Sequence, residues 1–136
     1  MTAVFSTIAA HTWPTSSTAP SELRVAVYNV GWVVRKPFLR IHQANVQGVV
    51  DANVHGAFAF ARQVVETFQK NELDERGKRG TLIFTGATGS VRGGPITSVF
   101  SAGKHALRAL SQSLNKEFGK ENIHVSALSR LTACFI

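Results

Sequence analysis

The sequence predicts an α/β fold built on a partial, doubly wound parallel sheet with three strands and two long helices. Three short apolar segments, near residues 23–29, 80–86 and 123–128, have the length of buried strands and lie close to glycines. Two long segments, 41–71 and 98–118, repeat apolar residues every three or four positions, as amphipathic helices do. Because strands alternate with helices, crossover connections are expected and the strands should be parallel.

The first strand is predicted over residues 23–29, where apolar side chains alternate and then run continuously. It ends in Tyr28-Asn29-Val30-Gly31, a tetrapeptide that permits a tight turn. Residues 1–21 contain no acidic residue, and their apolar run is too short to span a bilayer. We therefore expect a disordered or aberrant leader over residues 1–21 and one domain over residues 22–136.

The helix predicted over residues 41–71 has two apolar sides. Asn53 lies inside it, where a polar side chain usually faces water. His55 is interpreted as a surface or packing residue, because no second metal-binding side chain occurs at a matching spacing. No metal site is predicted. The apolar positions at helical spacing are Val46, Val50, Val54, Ala57, Phe58, Ala61, Val65 and Phe68, and Val49, Phe60 and Val64 are expected to extend the apolar surface beyond the core-facing side.

The second half of the chain has the order strand, glycine-rich loop, helix and strand. The strand at 80–86 opens into a loop that contains four glycines. The helix that follows starts near Ser98 or Ser101 and is expected to end at Gly119. Its apolar stripe consists of Leu107, Leu110, Leu114 and Phe118.

Taken in order, these motifs resemble the short-chain dehydrogenase/reductase family over residues 22–128. The stretch that carries the resemblance is GTLIFTGATGSVRGGPITSVFSAGKHALRALSQSLNKEFGKENIHVSAL, residues 80–128. The resemblance implies a Rossmann-like sheet that binds NAD or NADP. It also implies interconversion of small-molecule carbonyls and alcohols by Asn, Ser, Tyr and Lys acting together.

The resemblance implies roles for four residues of this chain. Lys104 matches the lysine that lowers the pKa of the catalytic phenol and holds the nicotinamide ribose; without the resemblance it would be interpreted as an exposed helix lysine. Asn53 matches the helix asparagine, whose backbone kink holds a water of the proton relay. Asn29 and Gly31 match the tetrapeptide that passes beside the adenosine half of the cofactor.

The sequence departs from the family at two catalytic positions. Phe100 stands at the tyrosine position, four residues before Lys104, and has no proton to give. Gly86 stands at the serine position. Loss of a positioned proton donor typically costs about 10² to 10⁴ in rate, so we predict a catalytically impaired chain. The nearby hydroxyls that could substitute by a small shift are those of Thr85, Thr88 and Ser90.

The cofactor-binding half is also incomplete. The family's pyrophosphate-binding turn lies in a first βαβ unit, and no glycine-rich turn precedes Leu23. Residues 85–89, Thr-Gly-Ala-Thr-Gly, look like such a turn but align better with the substrate-side loop. We therefore expect this chain to bind NAD or NADP weakly.

Two interpretations remain open. Residues 129–136 depart from the family's Pro-Gly turn and lid, so both ends look truncated; splicing, a frameshift or a degraded gene would each give this pattern. The chain is then either an impaired oxidoreductase or a non-catalytic interaction protein or gene remnant. We expect a homo-oligomer formed through helices 41–71 and 98–118, and the non-catalytic protein could also pair with a related subunit.

Charge and cysteine content set limits on the partners. The formal charge is +7 and the pI about 10.4, but the cations are scattered and no aromatic residues interleave with them as stacking platforms would require. We predict no nucleic-acid partner and no membrane partner. The single cysteine, Cys134, excludes an internal disulfide, and we expect a cytoplasmic protein.

Overall fold

Three parallel strands form the sheet in a computed structural model of this chain, which describes residues 22–129. They are β1 (Val25–Tyr28), β2 (Gly80–Thr85) and β3 (Ile123–Leu128), in the order β1-β2-β3. Ala26 lies opposite Leu82, which lies opposite Val125. The predicted strands and their parallel arrangement are confirmed. The leader predicted over residues 1–21 and the end of the chain, residues 130–136, lie outside the described residues.

The first predicted helix is interrupted by one turn of different geometry. It consists of α1 (Gln43–Val50), a π-helical turn (Asp51–His55) and α2 (Gly56–Phe68), which follow one another without a break. The second predicted helix is observed as α3 (Ser98–Phe118). Apolar periodicity located both helices but did not indicate the π-helical turn, because the four-residue spacing of Val46, Val50 and Val54 is also found in regular α-helices.

The core lies between the sheet and one layer of helices. The strands alternate, so that Ala26 and Tyr28 of β1 are buried while Val25 and Val27 are exposed on the opposite face of the sheet. Gly80 begins β2 where the ring of Phe68 packs, since a Cβ atom at Gly80 would lie 2.5 Å from that ring. The other members of the core include Ala57, Ala61, Val64, Leu82, Phe84, Leu107, Ile123 and Val125.

Three residues expected to extend the apolar surface of the first helix are instead packed inside the chain. Val49 and Val64 are buried, at 1% and 0% exposure. Phe60 is half-buried, and its ring centroid lies 5.2 Å from that of Tyr28. The reason is that this helix contacts both the sheet and α3, so its core-facing side is wider than one stripe. The exposed large apolar residues of the helix are Val46 and Phe58.

The end of α3 is confirmed at the predicted position, with Gly119 as its C-cap. The helix ends at Phe118 and a short 3₁₀ turn follows over Gly119–Glu121. The residue in the left-handed region is Asn122, with φ 61°, whereas Gly119 has φ −58° and continues the helical conformation. Asparagine is among the few non-glycine residues that adopt the left-handed region readily.

Candidate functional site

The candidate site lies at the carboxyl edge of the sheet. Residues 29–42 follow β1 there, and residues 86–97 follow β2. Both helices begin at this edge, because each crossover starts where its strand ends. Open parallel sheets bind their ligands outside the carboxyl ends of the strands. Most residues that the sequence singled out are therefore at the edge where a ligand is expected.

Lys104 is buried at this edge, with only 6% of its surface exposed. Its Nζ atom donates a hydrogen bond to the Thr85 carbonyl oxygen at 2.9 Å. A Cβ atom at Gly31 would lie 3.2 Å from Nζ, so the ammonium group lies directly beside that glycine. Burial lowers the pKa of Lys104 below its usual value of 10.5. The structure thus brings Gly31, Thr85 and Lys104 together, and Thr85 contributes its carbonyl rather than its hydroxyl to this contact.

Asn53 lies at the centre of the π-helical turn and is buried, with 1% of its surface exposed. Its Nδ2 atom donates to the Val49 carbonyl oxygen at 3.0 Å. Its Oδ1 atom is buried and accepts no hydrogen bond from the described residues. A Cβ atom at Gly103 would lie 3.2 Å from Cβ and Cγ of Asn53. Asn53 is therefore next to the residue that precedes Lys104, and it faces the protein interior rather than water.

Tyr28, on β1, connects the sheet to the π-helical turn through a hydrogen bond. The sequence did not predict this role. Its hydroxyl donates to the Ala52 carbonyl oxygen at 2.7 Å. Gly56 makes room for this bond, since a Cβ atom there would lie 2.5 Å from the Tyr28 oxygen. Burial raises the pKa of Tyr28 above 10.0, which keeps the phenol protonated. The only tyrosine of the chain therefore has a structural hydrogen bond within the core.

Phe100 lies one helical turn before Lys104, on the same side of α3. Its side chain is half-buried, and its Cε1 atom would lie 3.1 Å from a Cβ atom at Gly89. The ring therefore packs against the loop that follows β2. This position offers an apolar surface and no proton.

The hydroxyls near Gly86 differ in how they are used. Ser90 is fully buried, and its Oγ atom accepts from the Ala87 amide at 3.0 Å, so it closes the turn after β2. Thr85 and Thr88 are half-buried. A Cβ atom at Gly86 would lie 2.6 Å from Oγ of Ser129, a hydroxyl that the sequence analysis missed because it follows β3 and comes close only in the fold.

The remaining candidate residues lie along the loop after β1. Asn29 follows the strand directly and is exposed. Gly31 is also exposed, although it lies against the Lys104 ammonium group. Within residues 22–129, no cluster of three His, Cys, Asp or Glu side chains could hold a metal ion. In the same range, every helix is too short or too polar to cross a bilayer.

The described residues fit only part of a dinucleotide cofactor. The buried Lys104 beside Gly31 would suit the nicotinamide ribose that the family resemblance assigns to it. For the pyrophosphate, the glycine-rich turn between β2 and α3 is filled by side chains: Ser90 of the turn and Ser129, which follows β3, occupy the space around Gly86. A turn filled in this way leaves no open cradle of amides at Gly86 for phosphate oxygens.

Comparison with known proteins gives consistent results. A family model described as short chain dehydrogenase matches residues 7–130. L-2,3-butanediol dehydrogenase of Corynebacterium glutamicum is 29% identical over 103 residues, which are 76% of this chain and 38% of that protein. Short-chain dehydrogenase reductase 3a of Arabidopsis thaliana is 31% identical over 110 residues, which are 79% of this chain and 40% of that protein. The chain thus spans about two fifths of the length of these relatives.

Several solved structures have a similar fold over a comparable share of this chain. A short-chain dehydrogenase from Rhodopseudomonas palustris superposes with a TM-score of 0.72 at 31% identity, over 83% of this chain and 50% of that one. A 4-hydroxyisoleucine dehydrogenase complexed with NADH gives a TM-score of 0.68 at 25% identity, over 77% and 44% of the two chains. A gluconate 5-dehydrogenase from Burkholderia cenocepacia, in complex with NADP and tartrate, shows the same fold at 21% identity, with a TM-score of 0.71 over 80% and 40%.

Proposed function

Because the chain belongs to the short-chain dehydrogenase family, we propose that it derives from an NAD(P)-dependent oxidoreductase of small carbonyls and alcohols and is itself catalytically impaired. The observation that carries this proposal is Phe100. Its ring stands one helical turn before Lys104 and packs against Gly89, where the family chemistry needs a phenol. Without a positioned proton donor, the rate falls by about 10² to 10⁴.

The residues that remain support an incomplete site. Lys104 is held beside Gly31 by its bond to the Thr85 carbonyl, in a position to carry a positive charge near a bound ribose. Asn53 keeps one carbonyl oxygen, Oδ1, available as an acceptor inside the fold. The serine position is Gly86, and Ser90 is already used to close its own turn. We assign Lys104 and Asn53 to positioning and charge, and no residue to proton transfer.

We propose that the chain binds either nicotinamide cofactor only weakly. Two solved relatives contain NADH or NADP, but this chain spans less than half of each. None of its eleven glycines precedes Gly31, so the glycine-rich turn expected before β1 is not in its sequence. Titration calorimetry of the 136-residue chain with NADH and NADPH should give dissociation constants well above the low-micromolar range. Low-micromolar affinity for either cofactor would contradict this.

The activity itself is tested by cofactor oxidation. We expect no measurable reduction of small aldehydes and ketones with NADH or NADPH, and we expect Phe100→Tyr alone not to restore it, because the cofactor half is incomplete. Lys104→Ala is the control variant. If the unmodified chain turns over robustly and Lys104→Ala does not, another hydroxyl has taken over the proton transfer and the proposal is wrong.

A second candidate function is a non-catalytic interaction protein. It is favoured by two grooves that run beside α3. One lies between α1 and α3 and is lined by Val46, Val50, Val54, Val99, Ala102 and Ala106. The other lies between α2 and α3 and is of mixed character: six of its lining residues are apolar, among them Phe58, Leu114 and Phe118, and four are charged or polar, namely Arg62, Glu66, Gln69 and Glu117. Both follow the two helices through which we propose that the chain forms an oligomer.

The remaining expectations stay predictions. They are a cytoplasmic location, no nucleic-acid partner and, if the chain is active, a small-molecule carbonyl or alcohol as substrate. A cell-fractionation experiment on the tagged chain would test the location. Retention of the chain on immobilised DNA or RNA at physiological salt would contradict the second expectation.

A further inference from the structure

The cations at the carboxyl edge of the sheet have no carboxylates near them in sequence. No aspartate or glutamate occurs over residues 23–50 or over residues 76–116. These two ranges contain both loops of the carboxyl edge and the first five turns of α3. The nearest carboxylate on the first helix is Asp51, which is bonded to Gln47 and His55. The cations of the two loops are Arg35, Lys36, Arg40 and Arg92.

The opposite edge of the sheet has a different balance of charge. There Arg24 forms an ion pair with Glu22. The carboxylate of Asp74 accepts hydrogen bonds from the amides of Arg76 and Lys78. Cations and carboxylates are therefore interleaved at the amino edge and separated from each other at the carboxyl edge. The net positive charge is concentrated where a ligand of this fold would bind.

The two cationic loops are fixed to one another. The Lys36 amide donates to the Ile96 carbonyl oxygen at 2.8 Å. Ile96 has φ 56°, a conformation that costs a β-branched residue about 1–3 kcal/mol. The Lys36 side chain is itself held, since Nζ donates to Oδ1 of Asn45 at 3.1 Å. The loop of Arg35 and the loop of Arg92 therefore form one rim.

This rim lies next to the reacting end of the site. Residues 86–97 pack over Phe100 through Gly89, and the Arg92 amide donates to the Thr88 carbonyl oxygen at 3.1 Å. Residues 29–37 begin beside the Lys104 ammonium group, at Gly31. A molecule seated against Phe100 and Lys104 would thus lie beside both cationic loops.

We propose that this rim binds the carboxylate of a small organic acid, so that the substrate of the ancestral reaction is a hydroxy or oxo acid rather than a neutral ketone. Guanidinium groups bind carboxylates through two parallel hydrogen bonds, and here Arg35 and Arg92 are exposed, with no acidic side chain in either loop to compete. The proposal rests on the proposed function for its reaction class, but its binding step requires no turnover.

The test is calorimetric titration of the full 136-residue chain at constant ionic strength. Succinate is the probe, and succinamide is the uncharged ligand of the same shape. We expect saturable binding of succinate and none of succinamide. Arg92→Gln and Arg35→Gln should each weaken succinate binding by about tenfold. Arg108→Gln removes the same charge from an exposed position of α3, ten residues beyond its start, and should change the affinity by less than about twofold.

Three outcomes would overturn the proposal. The first is no saturable binding of succinate, and the second is equal weakening by all three arginine variants, which would indicate a general effect of net charge. The third is tighter binding of pyrophosphate or adenosine 2′,5′-bisphosphate than of succinate, lost in Arg92→Gln, which would assign the rim to a nucleotide phosphate. Robust turnover of neutral ketones would refute the proposed impairment but would not alter these binding results.

Discussion

A single hydrogen bond joins the Tyr28 side chain to the π-helical turn. A π-helical turn displaces the regular helical bonding, and here the Ala52 carbonyl oxygen accepts the Tyr28 hydroxyl at 2.7 Å. Tyr28→Phe would leave a partly buried acceptor with one partner fewer, so we expect a loss of about 1–3 kcal/mol in the free energy of unfolding. Urea unfolding of the two proteins measures this difference.

Gly56→Ala provides the matched test of the same contact. Its Cβ atom would lie 2.5 Å from the Tyr28 oxygen but 3.8 Å from the Tyr28 Cζ atom. The alanine should therefore cost less stability in the Tyr28→Phe background than in the unmodified chain. Additive effects in this double-mutant cycle would mean that a Cβ atom at position 56 does not clash with the Tyr28 hydroxyl.

Lys104 gives a dependence of stability on pH. Burial lowers its pKa in the folded chain below the usual 10.5, so at alkaline pH below 10.5 the unfolded chain binds more protons than the folded chain. At lower pH the ammonium group is charged in both states, and its burial fully reduces the free energy of unfolding. As the pH increases toward 10.5, the folded chain loses this proton first, so the contribution of Lys104 to the free energy of unfolding rises. The reference is Lys104→Met, which has no proton to lose.

The measurement is the difference in unfolding free energy between the unmodified chain and Lys104→Met, from pH 7 to pH 10.5. With increasing pH, the unfolding free energy of the unmodified chain should rise relative to that of Lys104→Met. Because both proteins keep Tyr28, its titration cancels in the difference. Lys116→Met, at an exposed position of the same helix, controls for the loss of one positive charge. A difference that stays constant or moves in favour of methionine would contradict the prediction.

At the scale of elements, the close approach of α1 and α3 depends on Gly103. A Cβ atom there would lie 2.5 Å from Cγ1 of Val49, inside the distance that real contacts allow. We expect Gly103→Ala to destabilise the chain by about 1–3 kcal/mol, because overpacking outweighs the helix propensity gained. The same substitution should move Asn53, whose Cβ and Cγ atoms are the next nearest.

Gly119→Ala is the control for that prediction. Nothing lies within 4 Å of its Cβ position and φ is −58°, so alanine fits and should stabilise the chain by about 0.4–1 kcal/mol. Val49→Ala should recover part of the loss in the Gly103→Ala background, because it removes the atom that clashes. Thermal unfolding of the unmodified chain, Gly103→Ala, Gly119→Ala and the double variant Val49→Ala/Gly103→Ala would show this. Equal effects of the two glycine substitutions would refute it.

At the scale of the whole molecule, we expect self-association through the helix layer. The two grooves beside α3 include exposed Val46 and Phe58, and burying apolar surface of such side chains is favourable by roughly 25 cal/mol per Å². Sedimentation at low-micromolar concentration should show a dimer or larger species. Val46→Glu with Phe58→Glu should shift it to a monomer, since a buried carboxylate without a partner is costly.

Leu73→Glu, at an exposed position in the loop after α2, is the control and should leave the oligomer intact. A single species of 14.7 kDa for the unmodified chain would contradict the prediction. So would an oligomer that survives the two glutamates; β1 would then be the contact to test, because it lies at an edge of the described sheet and edge strands offer unpaired backbone groups.

The amino-acid pattern alone was enough to locate the strands and helices and their order. The repeat of apolar residues located β1, β2, β3 and both long helices, because period two and period 3.6 are set locally by backbone geometry. It also placed Phe100 one turn before Lys104, since positions four apart share a helix face. The motifs of residues 80–128 were specific enough to indicate the family, which the comparisons confirm.

The contacts of these residues become apparent only in the folded chain. The sequence pattern could not show that Lys104 is buried against the Thr85 carbonyl, that Tyr28 bonds to Ala52, or that Ser129 lies beside Gly86. It also misjudged Val49 and Val64, which are buried rather than available at the surface. The physical reason is that periodicity records which side chains are apolar, whereas burial and hydrogen bonding depend on neighbours that are distant in sequence and come close only when strands and helices pack.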